Sequence, residues 1–151
     1  MMLAILKKLV PQKPHAKVIF QTDKGSENLW AKKLKNNIFE LDNSPFDLYG
    51  FSYKDKVRAE YISDGVYRFT ELYKRGGHST YRVMLASGVS HEDFLSIWPQ
   101  LEALGCSYES TNSLYSIDFT SINAVHQGYA ILENYEQRGM WEFEEAHYAG
   151  H

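Results

Sequence analysis

Cysteine is almost absent from this chain: Cys106 is the only one in 151 residues, so no intramolecular disulfide can form. The fold must be held by packing and hydrogen bonds alone, as a reducing cytoplasm requires. No base lies beside Cys106 in the sequence, and it reads as a buried structural thiol rather than a nucleophile. Proline is scarce as well, at Pro11, Pro14, Pro45 and Pro99. No stretch approaches the roughly 20 apolar residues that a membrane-spanning helix needs. The apolar run at 2–6 is too short for a secretory signal and is followed, not preceded, by Lys7 and Lys8. A soluble chain that stays in the cytoplasm is the expectation, with no membrane partner. The second half also lacks positive charge. Residues 76–151 carry two basic side chains, Arg82 and Arg138, against ten acidic ones, whereas residues 1–75 carry 14 basic against 9 acidic. An overall charge of −3 therefore conceals halves of +5 and −8. A single-sign surface selects partners of the opposite sign, so the acidic half calls for something basic and repels nucleic acid.

What is present fits a folded protein: 44% hydrophobic and 23% charged residues exclude a disordered chain. The charge change at residues 74–80 divides it into a lead-in (1–15), a basic β-rich lobe (16–75) and an acidic lobe (76–151). In the basic lobe, 16–22 alternates Val18 and Phe20 against Lys17 and Ile19, which predicts a strand, and Asp23-Lys24-Gly25 supplies a turn. Short strands follow at 29–34 and 37–41, divided by Asn36-Asn37. The clearest hairpin joins 56–62 to 66–73 through Asp64-Gly65, where glycine permits the positive φ of a tight turn. Five or so short strands with turns between them predict a small antiparallel β-barrel or curled sheet, which Trp30 and Phe46 would close.

The period changes in the acidic lobe. Residues 80–86 read as a central strand covered on both faces, Tyr81, Val83 and Leu85 on one and Met84 on the other. Ser90 with Asp93 forms a capping box for a helix carrying Phe94, Ile97, Trp98, Leu101 and Leu104, kinked at Pro99 and ended by Gly105. Strands at 106–110 and 114–119 flank Thr111-Asn112. Ser121 or Asn123 caps a second helix with a stripe of Ile122, Val125, Tyr129 and Leu132, ended by Arg138-Gly139. A last strand at 141–148 alternates Trp141 and Phe143 against Glu142 and Glu144. The order is βαββαβ, the arrangement of ferredoxin-like folds, with the last strand at a sheet edge. The whole is an α+β protein, a small barrel followed by a ferredoxin-like lobe.

The segments Leu29-Trp30-Ala31, Phe39-Glu40-Leu41-Asp42-Asn43-Ser44-Pro45-Phe46, Asp55-Lys56-Val57-Arg58-Ala59 and Gly77-His78-Ser79-Thr80-Tyr81-Arg82 resemble those of an uncharacterised bacterial domain-of-unknown-function family. Some of its members look like immunity proteins encoded beside polymorphic toxins. The match is in motifs from Leu29 to Arg82 and in architecture beyond. One departure stands out: Gly76 occupies a position where the family often has a small polar residue, which weakens a catalytic reading of that loop. Taken alone, Asp42-Asn43-Ser44-Pro45 is turn chemistry, with Asn43 suited to a left-handed conformation. Gly76-Gly77 gives the crossing between lobes its freedom, and Arg82 should pair with an acid.

His78 beside Ser79 invites a nucleophile-and-base reading, but neighbours on a strand point to opposite faces. No phosphate-binding glycine loop appears. The six histidines have no close metal-ligand spacing beyond His147 and His151 near the end. The expectation is therefore no enzyme, no cofactor and no metal. What the resemblance and the acidic half imply together is an immunity protein that occludes a toxin with a basic surface, either an NAD-dependent ADP-ribosyltransferase or a nuclease. Carboxylates for that contact are Glu109, Asp118, Glu142, Glu144 and Glu145, which would speed association. The accompanying aromatics Tyr108, Tyr115, Trp141 and Tyr148 would supply affinity. The rival reading is a regulatory module whose ferredoxin-like half binds a small ligand or pairs edge to edge with itself. For Glu142 and Glu144 the plainer reading is a solvated edge that discourages aggregation.

Overall fold

Alternation and turn chemistry organise the first lobe as the sequence leads one to expect. The computed structural model describes residues 15–151; the apolar run at 2–6, Pro11, Pro14 and the rest of the lead-in lie outside them, and His15 already begins a strand. Five strands, β1 (His15–Thr22), β2 (Gly25–Lys33), β3 (Ile38–Leu41), β4 (Lys56–Ser63) and β5 (Val66–Lys74), close into a barrel. Inward positions fill it: Val18 and Phe20 from β1, Leu29 and Ala31 from β2, Phe39, Leu41, Val57 and Ala59 from β3 and β4. Gly65 turns the β4–β5 hairpin at φ +73°, and both Asn36 and Asn37 are left-handed between β2 and β3.

Consecutive strands are antiparallel, but the seam that closes the barrel is not: β1 and β5 run parallel, with Lys17 opposite Val66 and Ile19 opposite Arg68. The expected all-antiparallel barrel needs correcting here for a geometric reason. Strands that alternate up and down in an odd number must bring two of the same direction together on closure. Trp30 does not close the barrel either; it is 45% exposed. Its neighbours Leu29 and Ala31 point inward, and strand alternation sends residue 30 outward. Phe20, Phe51 and Phe69, with ring centroids 4.7–5.2 Å apart, pack across the interior instead.

The second lobe has β6 (Ser79–Leu85), α1 (His91–Ile97), α2 (Pro99–Glu102), β7 (Ser107–Thr111), β8 (Leu114–Phe119), α3 (Ile122–Gln137) and β9 (Trp141–His147). Its four strands lie in the order β7-β8-β6-β9, every pair antiparallel, so β9 is an edge. Ser90 and Asp93 form the reciprocal capping box on α1, and Ser121 caps α3. Pro99 does more than kink: it divides the helix into α1 and α2 at Trp98. Tyr81, Val83, Leu85, Tyr115, Ile117 and Phe119 meet Phe94, Leu101, Val125 and Leu132 in the core.

Two details depart from the sequence pattern. Met84 is 48% exposed, so β6 is covered on its second face only in part. The buried face of α3 is Ala124, Val125, Gly128 and Leu132, while Ile122 and Tyr129 turn outward. Small residues lie inward because the sheet crowds the helix: a Cβ at position 128 would overlap the Phe119 ring.

Candidate functional site

The face of the second sheet opposite its helices is polar, and the barrel's 42–55 segment is laid across it. Thr80, Arg82 and Met84 of β6 alternate onto this face, together with Ser116 and Asp118 of β8, Glu109 of β7, and Glu142 and Glu144 of β9. Arg82 is 2% exposed and fastens the two lobes. Its guanidinium donates to the carbonyls of Leu48 (2.8 Å) and Pro45 (3.3 Å) and to Glu144 Oε1 (3.0 Å), with the Tyr49 ring 4.5 Å away. The acidic partner anticipated for Arg82 is thus Glu144. Ser116 Oγ also donates to the Pro45 carbonyl at 2.7 Å.

The same loop is held from the barrel side. Glu27 accepts the backbone N–H groups of Phe46, Asp47 and Leu48 at 2.6, 3.0 and 2.8 Å. Glu109 accepts from Ser44 N (2.6 Å) and Asn43 Nδ2 (2.9 Å), while Asn43 Oδ1 accepts from Trp30 N (2.7 Å). Asn43 therefore works through its side chain and is not left-handed; Lys54 takes that conformation, at φ 77°. At the crossing between lobes, buried Asp55 accepts from Ser52 N, Gly76 N and Arg75 at 2.8–3.0 Å. Gly76 is required by closeness more than by freedom, since a Cβ there would lie 2.5 Å from the Lys54 carbonyl oxygen.

Two histidines complete the seam. His78 Nδ1 lies 2.9 Å from both oxygens of Asp118, and Ser79 Oγ instead accepts from Ala149 N. Burial pushes the Asp118 carboxyl above the usual carboxylate range, outweighing the stabilising pull of His78. His147 Nδ1 is 2.8 Å from Ser52 Oγ, which is 2.6 Å from Thr80 Oγ1. Burial, with help from Arg75, holds the His147 pKa below the ordinary value. His151 bonds Glu145 rather than joining His147. Among the described residues no group of three or more His, Cys, Asp or Glu side chains could hold a metal ion, and no helix is long and apolar enough to cross a membrane. Burial pushes the Cys106 thiol up to about 12, which removes its nucleophilic form at neutral pH.

The residues expected to meet a partner divide into four sets. Trp141 and Tyr115 are core: the Trp141 indole donates to the Leu132 carbonyl at 3.0 Å, and Tyr115 stacks on Phe94 at 3.9 Å. Asp118 is buried against His78 and Glu109 is engaged by the barrel loop, so neither offers charge to a partner. Tyr108 is half-buried against Trp98 and Phe94, and Tyr148 is half-buried with its hydroxyl 3.0 Å from His126. Only Glu142, Glu144 and Glu145 remain on the surface, on two faces: Glu145 turns to the helix side, accepting from the Tyr81 hydroxyl at 3.0 Å.

Glu142 and Glu144 border a groove of 610 Å³ between β9 and the β1–β2 hairpin tip, whose walls include Asp47, Tyr49, Met84 and Phe143. Tyr49 is 54% exposed and donates to Glu144 at 2.6 Å. Glu142 has no hydrogen bond or ion pair among the described residues. Tyr49 and Met84 escape sequence reading, since the first sits in an irregular loop and the second alternates with core residues.

One solved structure, described as a novel crystal structure of a hypothetical protein from Neisseria gonorrhoeae, shares the fold. It superposes with a TM-score of 0.73 at 16% identity, covering 91% of this chain and 96% of that one. No curated protein matches the chain. The family model described as a domain of unknown function, DUF4265, matches residues 27–143. That span takes in most of β2, all of β3 to β8 with the three helices, the loop that joins the lobes and the start of β9, and the chain belongs to this family.

Proposed function

We propose that the chain is a cytoplasmic immunity protein for interbacterial competition, a non-enzymatic inhibitor that holds its cognate toxin at the acidic groove. The observation that carries the reading is Glu142 and Glu144 beside the exposed apolar surfaces of Tyr49 and Met84. The unpaired charge of Glu142 speeds encounter with a basic surface, and an aromatic near a methionine supplies adaptable apolar contact. Toxins with basic substrate clefts suit it: NAD-dependent ADP-ribosyltransferases and nucleases. We read the second lobe as ferredoxin-like from its βαββαβ succession and its strand order. The rival edge-to-edge module is disfavoured because Glu136 of α3 accepts the outward N–H of Phe143 at 2.9 Å, capping the β9 edge.

The test is to identify a toxin gene beside this one and co-express the two. Cells should survive, and Glu142→Lys should slow complex formation about tenfold at low salt. Glu144 is left alone because it also holds Arg82. Death of cells that contain abundant soluble protein would end the immunity reading. An unchanged association rate for Glu142→Lys would move the interface elsewhere.

A further inference from the structure

A second concavity, of 390 Å³, opens at the other end of the seam between Glu40, Lys54, Lys56, Lys74, Arg75 and His78. Four cationic side chains line it together with one carboxylate, Glu40. Two of them are engaged: Arg75 with Asp55 at 3.0 Å and the Gly50 carbonyl at 2.6 Å, and Lys54 with Glu40 at 3.4 Å. Lys56 and Lys74 are different. They stand directly opposite each other in the β4–β5 register and form no ion pair among the described residues; Glu40 lies opposite Lys56 on the β3 side but bonds Lys54. Like charges in that position oppose strand pairing unless a counter-charge lies between them.

The walls are fixed by backbone geometry. Lys54 holds a left-handed conformation that lysine seldom adopts, with its N–H bonded to the Leu41 carbonyl at 3.0 Å. Gly76 lets the crossing run against the Lys54 carbonyl, and His78 is fixed by Asp118. Burial alone would lower the Lys54 pKa, but Tyr53 and Glu40 outweigh it and keep the ammonium charged. The four cations are thus gathered by the first lobe, and Gly76 and His78 of the second close the cleft beside them.

We propose that this cleft binds a small phosphate-bearing anion, free phosphate or a phosphomonoester, bridging Lys56 and Lys74 with Lys54 behind them. Its volume falls within the range of small-ligand sites. A nucleic-acid strand is a poor fit, since one that continued past the cleft would meet Glu40 and the second lobe, whose half of the sequence carries a net charge of −8. Nothing in this proposal depends on the immunity reading or on the groove beside β9.

The experiment titrates the protein with inorganic phosphate, adenosine monophosphate and a short single-stranded oligonucleotide, each at constant ionic strength in chloride, following amide resonances. Saturable shifts centred on 54–56 and 74–78 are expected. Lys56→Gln with Lys74→Gln should weaken binding at least tenfold while the barrel's other resonances stay in place. Tighter binding of the nucleotide identifies a phosphomonoester; equal binding identifies the phosphate itself. Lys56→Gln alone should raise Tm in phosphate-free buffer and lose that advantage when phosphate is added. A non-saturating response, equal binding by the double variant, or preference for the oligonucleotide would overturn the proposal.

Discussion

His147 shows how one side chain ties proton uptake to the joint between lobes. It sits against Ser52 and Thr80, where burial disfavours its charged form and Arg75 adds repulsion. Its folded pKa lies below the unfolded value of 6.5, so the unfolded chain binds the proton more readily. Stability should be fully present above pH 6.5 and fall as pH drops through that value toward the folded pKa. Asp118 works in the opposite sense, because its raised pKa makes the folded chain the better proton binder above 3.8. Urea unfolding between pH 5 and 7.5 checks this, and His147→Gln should flatten the dependence. A slope unchanged in that variant would assign the effect to another group.

At the scale of elements, strand parity and turn residues were legible, and so was the capping box of α1. The parity also contained a warning: Trp141 and Phe143 alternate with Glu142 and Glu144, so one set had to be inside. Tyr115, Trp141 and Trp30 are the positions where parity decides against partner contact or barrel closure. The α3 stripe misled because apolar size was used as a guide to burial. Where a helix lies close to a sheet, small residues face inward. Gly128→Ala is the sharp test. Alanine gains about 1 kcal/mol of helix propensity over glycine, but overpacking against Phe119 costs about 1–3 kcal/mol. The variant should be destabilised, by up to about 2 kcal/mol from these two terms, with a lower thermal midpoint. A rise in midpoint would mean that the Phe119 ring yields freely.

For the whole molecule, the division into basic and acidic halves was visible in the charge, but not the way the halves are joined. That joint pairs Arg82 with Pro45 and Leu48, Glu109 with Asn43 and Ser44, and Asp55 with Gly76. No local pattern announces partners so far apart in sequence. It also explains why Glu109, read as a surface charge, is taken up inside the molecule by Asn43 and Ser44. Because each lobe satisfies polar groups of the other, separation would take from buried Arg82 the carbonyls of Pro45 and Leu48 and from Glu109 its partners Asn43 and Ser44. Heating should therefore unfold the chain in one transition, with equal calorimetric and van't Hoff enthalpies. Two resolved peaks would show that the lobes melt independently.

The parallel β1–β5 seam carries a consequence for how the chain comes to be folded. Lys17 cannot find Val66 until β2, β3 and β4 have been made, so during synthesis the first strand must wait with one side unpaired. Such a late, non-local closure slows folding and makes it sensitive to anything that pairs with β1 first. The ribosome therefore releases an open sheet before it releases a barrel, and crowding at that stage favours strand exchange between nascent copies.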